Sequence, residues 1–423
     1  LDKIVVDGGR RLKGRMTVSG SKNAALPIMA ATILARGRIQ LKNVPQIRDI
    51  KSMIAVLRTL GGKAVLDRHG VATISTRTVD QPEAHYELVK TMRASILVLG
   101  PLVAALGRAR VSLPGGCAIG TRPIDIHLKG LEALGAEISI ESGYVVAAAE
   151  RLRGGNYRLP FASVGATENL MMAASLADGT TVLENCAQEP EIADLGDFIN
   201  AMGGAVSGAG TATIVIEGRE RLQSCTYSVM PDRIEAGTFL VAGAITRGEV
   251  AVSPMPRRHL ESFLEKMREA GVDLDVDDAT ESIRARSSGE WRPVEVRTEV
   301  FPGFPTDLQA QLMALSTVTE GESVYHETIF ENRFMHVAEL RRLGADIRIE
   351  GGSARVHGVR GLHGTEVMAS DLRASAALIL AGLVARDRTT VTRVYHIDRG
   401  YERFEEKLAA LGASIRRNRD AAN

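Results

Sequence analysis

At 423 residues the chain is long enough for two or three domains, each with its own core. Apolar residues make up 45% and charged residues 24%, as in an ordinary globular protein, and aromatic residues only 4%. A net charge of +1 argues against nucleic acid or a membrane surface as partner, so any anionic ligand must be gripped by a local cluster of cations. The opening stretch, LDKIVVDGG, is polar and strand-like and unlike a signal peptide. Three scattered cysteines, Cys117, Cys186 and Cys225, are too few for a disulfide framework or a zinc site, and the apolar stretches fall short of a spanning helix. The expected compartment is the cytoplasm.

Along the chain an amphipathic helix ending in glycine recurs: LRTLGG, LEALGA, INAMGG, MREAGV, LRRLGA and LAALGA. The first glycines are Gly61, Gly135, Gly203, Gly271, Gly344 and Gly412, so the spacings are 74, 68, 68, 73 and 68 residues. Glycine suits the position after a helix because it enters the left-handed region without steric cost. Alternating stretches such as EISIESGYVVA and DIRIEGGSARVHG follow some of them and predict strand, turn, strand. Out of phase with this marker run six Ala-rich helices, apolar on nearly all faces: KNAALPIMAATILA, MRASILVLGPLVAAL, ENLMMAASLA, EAGTFLVAGAI, LQAQLMALSTV and RASAALILAGLVA. A helix apolar all round belongs in an interior. Six such units fit two α/β domains of three units each, with the buried helices packed centrally, over 19–230 and over 1–18 plus 231–423. In this scheme the N-terminal strand, 3–18, pairs with the C-terminal domain. A continuous six-repeat solenoid is the alternative.

Charge interrupts the pattern where the buried helices begin. Lys22, Arg93, Asp307 and Arg373 fall in first turns, where the macrodipole disfavours cations and favours anions. Either an anion is held there together with backbone N–H groups, or the cations pair with acids on neighbouring helices. Asp307, the one acid of the set, also reads as a simple N-cap. The loop LPGGCAIGTRPIDIHL sets Cys117 among Gly115, Gly116 and Gly120, five residues before Arg122, where a cation would favour thiolate. A lone cysteine is otherwise an inert small hydrophobe, and Cys186 and Cys225 are read that way. Arg333 and Arg399 occupy turns ahead of amphipathic helices, at the repeat position of Arg122. Should the halves face each other, Lys22, Arg122, Arg333, Arg373 and Arg399 line one cleft suited to a small anion carrying phosphate and carboxylate.

Taken together, GSKNAALPIMAA, PGGCAIGTRPIDIHL, SVGATENLMMAA, FPTDLQAQ, ENRFMHVAEL, DLRASAALILAG and HIDRGYERFEEKL resemble the UDP-N-acetylglucosamine 1-carboxyvinyltransferase family, from the first strand to the last helix. The resemblance implies two inside-out α/β barrels. It also implies transfer of enolpyruvyl from phosphoenolpyruvate to the sugar 3-hydroxyl, by addition and elimination, as the opening step of peptidoglycan synthesis. Lys22, Arg122 and Arg399 would hold the phosphoenolpyruvate phosphate and carboxylate, with Arg333 and Arg373 completing the pocket. Asn23 would contact the incoming hydroxyl, Asp307 would take its proton, and Cys117 would protonate the enol methylene. UDP-N-acetylglucosamine would lie against Arg93, Arg122, Pro123, Ile124, Asp125, Ile126, Ser163, Val164, Gly165 and Ile329. No metal or organic cofactor is implied, and no oligomeric state.

One departure is plain: some family members carry a Lys just before SVGAT that touches the nucleotide, and here Phe161 and Ala162 stand there. Two rival readings remain. One is the sister enzyme acting on shikimate 3-phosphate, which lacks a counterpart of Cys117. The other is a non-catalytic nucleotide-sugar sensor, which would bind without releasing phosphate.

Overall fold

The computed structural model describes residues 2–89, 92–113 and 124–419, apart from the side chains of Val89 and Arg93. Cys117, Arg122 and Pro123 therefore lie outside the described residues. The described chain forms two compact units, one from 2–19 with 231–419, the other from 20–113 with 124–230.

Each unit is built inside out. In the unit of 20–230 the central helices are Lys22–Ala31, Leu99–Leu106 and Val164–Ala174; in the last of these every residue from Ala166 to Ala174 is buried. In the other unit Arg233–Ile245, Gln309–Ser316 and Leu372–Gly382 take the same place, the first two buried at every position. Such helices must be enclosed on all sides, and four-stranded sheets, three to a unit, enclose them. The strands alternate accordingly. In Arg38–Lys42, Ile39 and Leu41 are buried while Arg38, Gln40 and Lys42 face water.

The repeat shows in the sheet order. After each of the first five helix-ending glycines a hairpin such as Glu137–Glu141 with Tyr144–Ala148, or Asp346–Glu350 with Ser353–His357, forms one side of a sheet. All six glycines have φ between 85° and 102°. The residue after each donates to the carbonyl five positions back, as Gly62 does to Leu57 at 2.9 Å and Ala413 to Leu408 at 3.0 Å. This is the Schellman closure.

The sixth hairpin has only one strand of its own, Ser414–Asn418, and the N-terminal strand Lys3–Asp7 lies antiparallel to it as the second. The stretch 3–18 is not one strand but two. The chain turns at Gly8 and Gly9, and Lys13–Thr17 runs parallel to Glu249–Ser253 in a different sheet. The turn needs glycine: a Cβ at Gly8 would overlap the carbonyls of Ala385 and Gly382, and Gly9 has φ 89°. In the other unit Thr226–Ser228 returns to pair with Arg38–Lys42, so the last repeat completes the first repeat's sheet.

Asp194, on the helix Pro190–Ala201, fastens that returning strand by accepting the Tyr227 hydroxyl at 2.7 Å and the Met230 amide at 3.2 Å. Burial pushes its carboxyl from 3.8 up to about 6, against the pull of these two bonds and with help from Asp197 and Glu191. The folded state thus binds a proton that the unfolded state has already released, so this group's contribution to stability falls as pH rises from about 3.8 through about 6. Asp194→Asn should flatten the decline in urea-unfolding free energy over that interval. At the helix ends, Gly203 has φ 87° and open space around its α-carbon, so Gly203→Ala should destabilise through backbone strain alone, by about 1 kcal/mol in the same measurement.

Candidate active site

In the unit of 231–419 three elements converge on one carboxylate. Asp307 lies in the 3-10 turn Thr306–Leu308 that leads into Gln309–Ser316. Its Oδ1 accepts from Arg333 Nη2 and its Oδ2 from Arg373 Nη2, both at 2.8 Å. The arginine side chains are 5% and 4% exposed and that of Asp307 27%, so the carboxylate alone of the three keeps an open face. The N-cap reading of Asp307 gives way here: no side-chain cap begins the helix Gln309–Ser316, and the acid serves as counter-ion to two guanidiniums.

Each arginine is fixed by its own element. Asp371 caps the helix Leu372–Gly382, accepting from the Arg373 and Ala374 amides at 2.8 and 3.0 Å, and so sets Arg373 in the first turn. The Arg373 guanidinium lies 5.5 Å from the Tyr401 ring centre and that of Arg333 5.3 Å from the Phe330 ring. Behind them the Tyr401 and Thr238 hydroxyls meet at 2.8 Å, and Gln311 Nε2 donates to the Asp307 carbonyl at 2.8 Å. Burial works against charge on Arg373, yet Asp307, Tyr401 and Asp232 together more than offset it, and the pKa of Arg373 rises. His336, wholly buried beside this group, is pushed down to about 4, chiefly by burial, and stands neutral at pH 7. Arg399 ends the 3-10 turn Val394–Arg399, half-buried, two residues before Tyr401. Ile329 is half-buried, and its amide donates to Glu327 Oε1 at 2.9 Å.

In the unit of 20–230, Ser21 caps Lys22–Ala31 through the Ala24 amide, with Lys22 and half-buried Asn23 in the first turn. Lys22 Nζ lies 3.6 Å from Asp49 Oδ2, a carboxylate 4% exposed. For Lys22 and Arg373, then, ion pairing within the protein is the arrangement found. Arg93 opens the 3-10 helix Arg93–Val98; its side chain lies outside the described residues. Ser163 caps Val164–Ala174, accepting from the Ala166 amide at 3.4 Å. Gly165 lets this helix lie against His127, since a Cβ there would come 3.3 Å from the imidazole. The helix that carries His127, Asp125–Ala133, follows half-buried Ile124 and presents Asp125 to solvent and Ile126 to the core. The SVGAT turn and the 124–126 segment are thus neighbours. Phe161, just before that turn, is 53% exposed.

Burial raises the Cys186 thiol to about 11 and that of Cys225 also, which leaves both as unreactive thiols at neutral pH. Among the described residues no group of three or more His, Cys, Asp or Glu is placed to hold a metal ion, and no helix is long and apolar enough to cross a membrane.

The EPSP synthase (3-phosphoshikimate 1-carboxyvinyltransferase) family model matches residues 6–408. UDP-N-acetylglucosamine 1-carboxyvinyltransferase of Geobacter metallireducens is 55% identical, over 99% of both chains. The enzyme of the same name from Myxococcus xanthus is also 55% identical, over 99% of this chain and all of its own length. The chain belongs to the UDP-N-acetylglucosamine 1-carboxyvinyltransferase family. Among solved structures, the enolpyruvyl transferase NikO from Streptomyces tendae superposes with a TM-score of 0.88 at 27% identity, over 98% of each chain. An EPSP synthase from Acinetobacter baumannii, at 20% identity and TM-score 0.75 over 99% of this chain and all of its own, shares the fold.

Several residues of this carboxyvinyltransferase family member escape a reading of the sequence. Arg233, 6% exposed in the first turn of Arg233–Ile245, is a fourth cation at a buried-helix start, and Asp232 caps that helix. The pattern Asp-Arg before an apolar run, shared with Asp371 and Arg373 but for one residue, is the signal that could have found it. Asp49 passes for an ordinary first-turn acid complementing a helix dipole. Removing the counter-ion of two buried guanidiniums should be costly: Asp307→Ala is expected to lower the urea-unfolding free energy by roughly 2–4 kcal/mol.

Proposed function

We propose that this chain transfers the enolpyruvyl group of phosphoenolpyruvate to the 3-hydroxyl of UDP-N-acetylglucosamine, releasing phosphate, as the opening step of peptidoglycan synthesis in the cytoplasm. The observation that carries the reading is the Asp307 carboxylate, open on one face and seated between two nearly buried arginines, in a member of this family. A guanidinium pair binds phosphate or carboxylate bidentately. A carboxylate with both oxygens engaged by arginine is a weak base. Once an anionic substrate shares those guanidiniums, Asp307 gains basicity, so the base is strengthened when phosphoenolpyruvate is bound.

Lys22, Arg122, Arg333, Arg373 and Arg399 supply the cations for the phosphate and carboxylate of phosphoenolpyruvate. Asn23 orients the acceptor hydroxyl and Asp307 takes its proton. Cys117 delivers a proton to the methylene carbon, which makes the adjacent carbon electrophilic. The sugar oxygen adds there to give a tetrahedral ketal; the Cys117 thiolate then takes back a methyl proton as phosphate leaves, which restores the double bond. The cations stabilise the charge that develops at each stage. Arg93, the stretch Arg122, Pro123, Ile124, Asp125 and Ile126, the turn Ser163, Val164 and Gly165, and Ile329 bind the nucleotide sugar.

The test is phosphate release from phosphoenolpyruvate with UDP-N-acetylglucosamine, run beside shikimate 3-phosphate as alternative acceptor. Release is expected with the nucleotide sugar alone. Cys117→Ala and Asp307→Asn should each lower kcat by roughly 100-fold or more, the scale of a lost general acid or base. Release with the shikimate acceptor alone would transfer the reading to the sister reaction, and binding without release would leave a sensor.

A further inference from the structure

Glu327 follows the strand Glu322–His326, is 9% exposed, and uses both carboxylate oxygens. Its Oε1 accepts from the Thr298 hydroxyl at 2.9 Å and from the Ile329 and Phe330 amides at 2.9 and 3.1 Å. Its Oε2 accepts from the Thr306 hydroxyl at 2.9 Å. Thr306 immediately precedes Asp307, and Phe330 supplies the ring beside the Arg333 guanidinium. Thr298 in turn accepts from the Thr328 amide at 2.9 Å, so the whole 327–330 turn is wound round this one side chain.

We propose that Glu327 is a positioning residue for the transfer reaction: one buried carboxylate holds the turn that carries Asp307 and the turn that sets its partner Arg333. The inference rests on the reading of Asp307 as the base. Two separate segments, 298–307 and 327–333, otherwise fix the direction of the Asp307 carboxylate independently. Two charge-assisted hydrogen bonds, from Thr298 and Thr306, join them, and two more from the Ile329 and Phe330 amides fix the second turn round the same carboxylate, which gives Asp307 a single orientation toward the acceptor hydroxyl. The two oxygens divide the work. Oε2 acts on Asp307 through Thr306, and Oε1 on the Ile329 segment proposed to meet the nucleotide sugar.

That division yields a split a merely structural residue would not show. Thr306→Val removes only the Oε2 link and should lower kcat about tenfold, with KM for UDP-N-acetylglucosamine within about twofold of the parent. Glu327→Ala strands the Ile329 and Phe330 amides as well and should lower kcat/KM roughly 100-fold while raising that KM. Glu327→Gln should restore most of both. Its amide oxygen can take the three Oε1 donors, and its nitrogen can donate to Thr306, whose hydroxyl then accepts. All variants are measured on the full chain by steady-state phosphate release, with thermal unfolding to establish the folded fraction. An unchanged kcat in folded Thr306→Val, or a Glu327→Gln variant as impaired as Glu327→Ala, overturns the proposal. Asp307→Asn separates the two layers: if it keeps full kcat, the base reading itself falls. If it is inactive while Thr306→Val is normal, only the role of Glu327 falls.

Discussion

A helix that is apolar on every side has to be surrounded, and six of them set the plan of this molecule. No single sheet can cover such a helix, so each unit gathers three helices and closes three sheets around them. A ring of sheets needs a strand to complete it. In one unit the last repeat supplies Thr226–Ser228 to the first repeat's sheet; in the other the N-terminal segment supplies Lys3–Asp7 and Lys13–Thr17 to two sheets. Burial of the helices thus dictates where the chain's beginning must go.

The same constraint dictates where chemistry can be. Along their length the central helices are mostly apolar, with buried polar exceptions such as Asn169, Thr238, Gln309 and Gln311. Their first turns are different, because unpaired amides there call for capping acids and hydroxyls: Ser21, Ser163, Asp232 and Asp371. Cations placed beside those caps, Lys22, Arg233 and Arg373, are held stiffly by a buried helix and still reach its polar end. Rigid placement of charge at the rim of an apolar core is what an anion-handling site requires.

What the sequence disclosed follows from the range of each interaction. The helix-ending glycines and the all-apolar helices are local signals, set by φ and by burial of one segment, and all six repeats were legible from them. The capping role of Asp371 is equally local. The pairing of Asp307 is not: its partners lie 26 and 66 residues away, so an N-cap and a doubly bridged carboxylate look the same in FPTDLQAQ. The split of 3–18 into two strands depends on strands more than 200 residues distant, and only Gly8 and Gly9 hint at it. Glu327 left no trace at all, because an acid after a strand carries no pattern until Thr298 and Thr306 are brought to it.

Charge balance ties these threads together. Arg373 is almost wholly buried, and a lone guanidinium there would be expelled or would unfold its surroundings. Asp307 makes it tolerable, and the same carboxylate serves Arg333. Asp232 and Tyr401 add to the field that favours the charge on Arg373, so its burial rests on several groups, of which Asp307 is in direct contact. On the proposed function an incoming anion would share the two guanidiniums with Asp307. Sharing them would loosen the hold of the arginines on the carboxylate. On the proposed reaction, stability and reactivity draw on one set of contacts: the ion pairs that hold the arginines in the fold are the pairs whose weakening would make Asp307 a competent base.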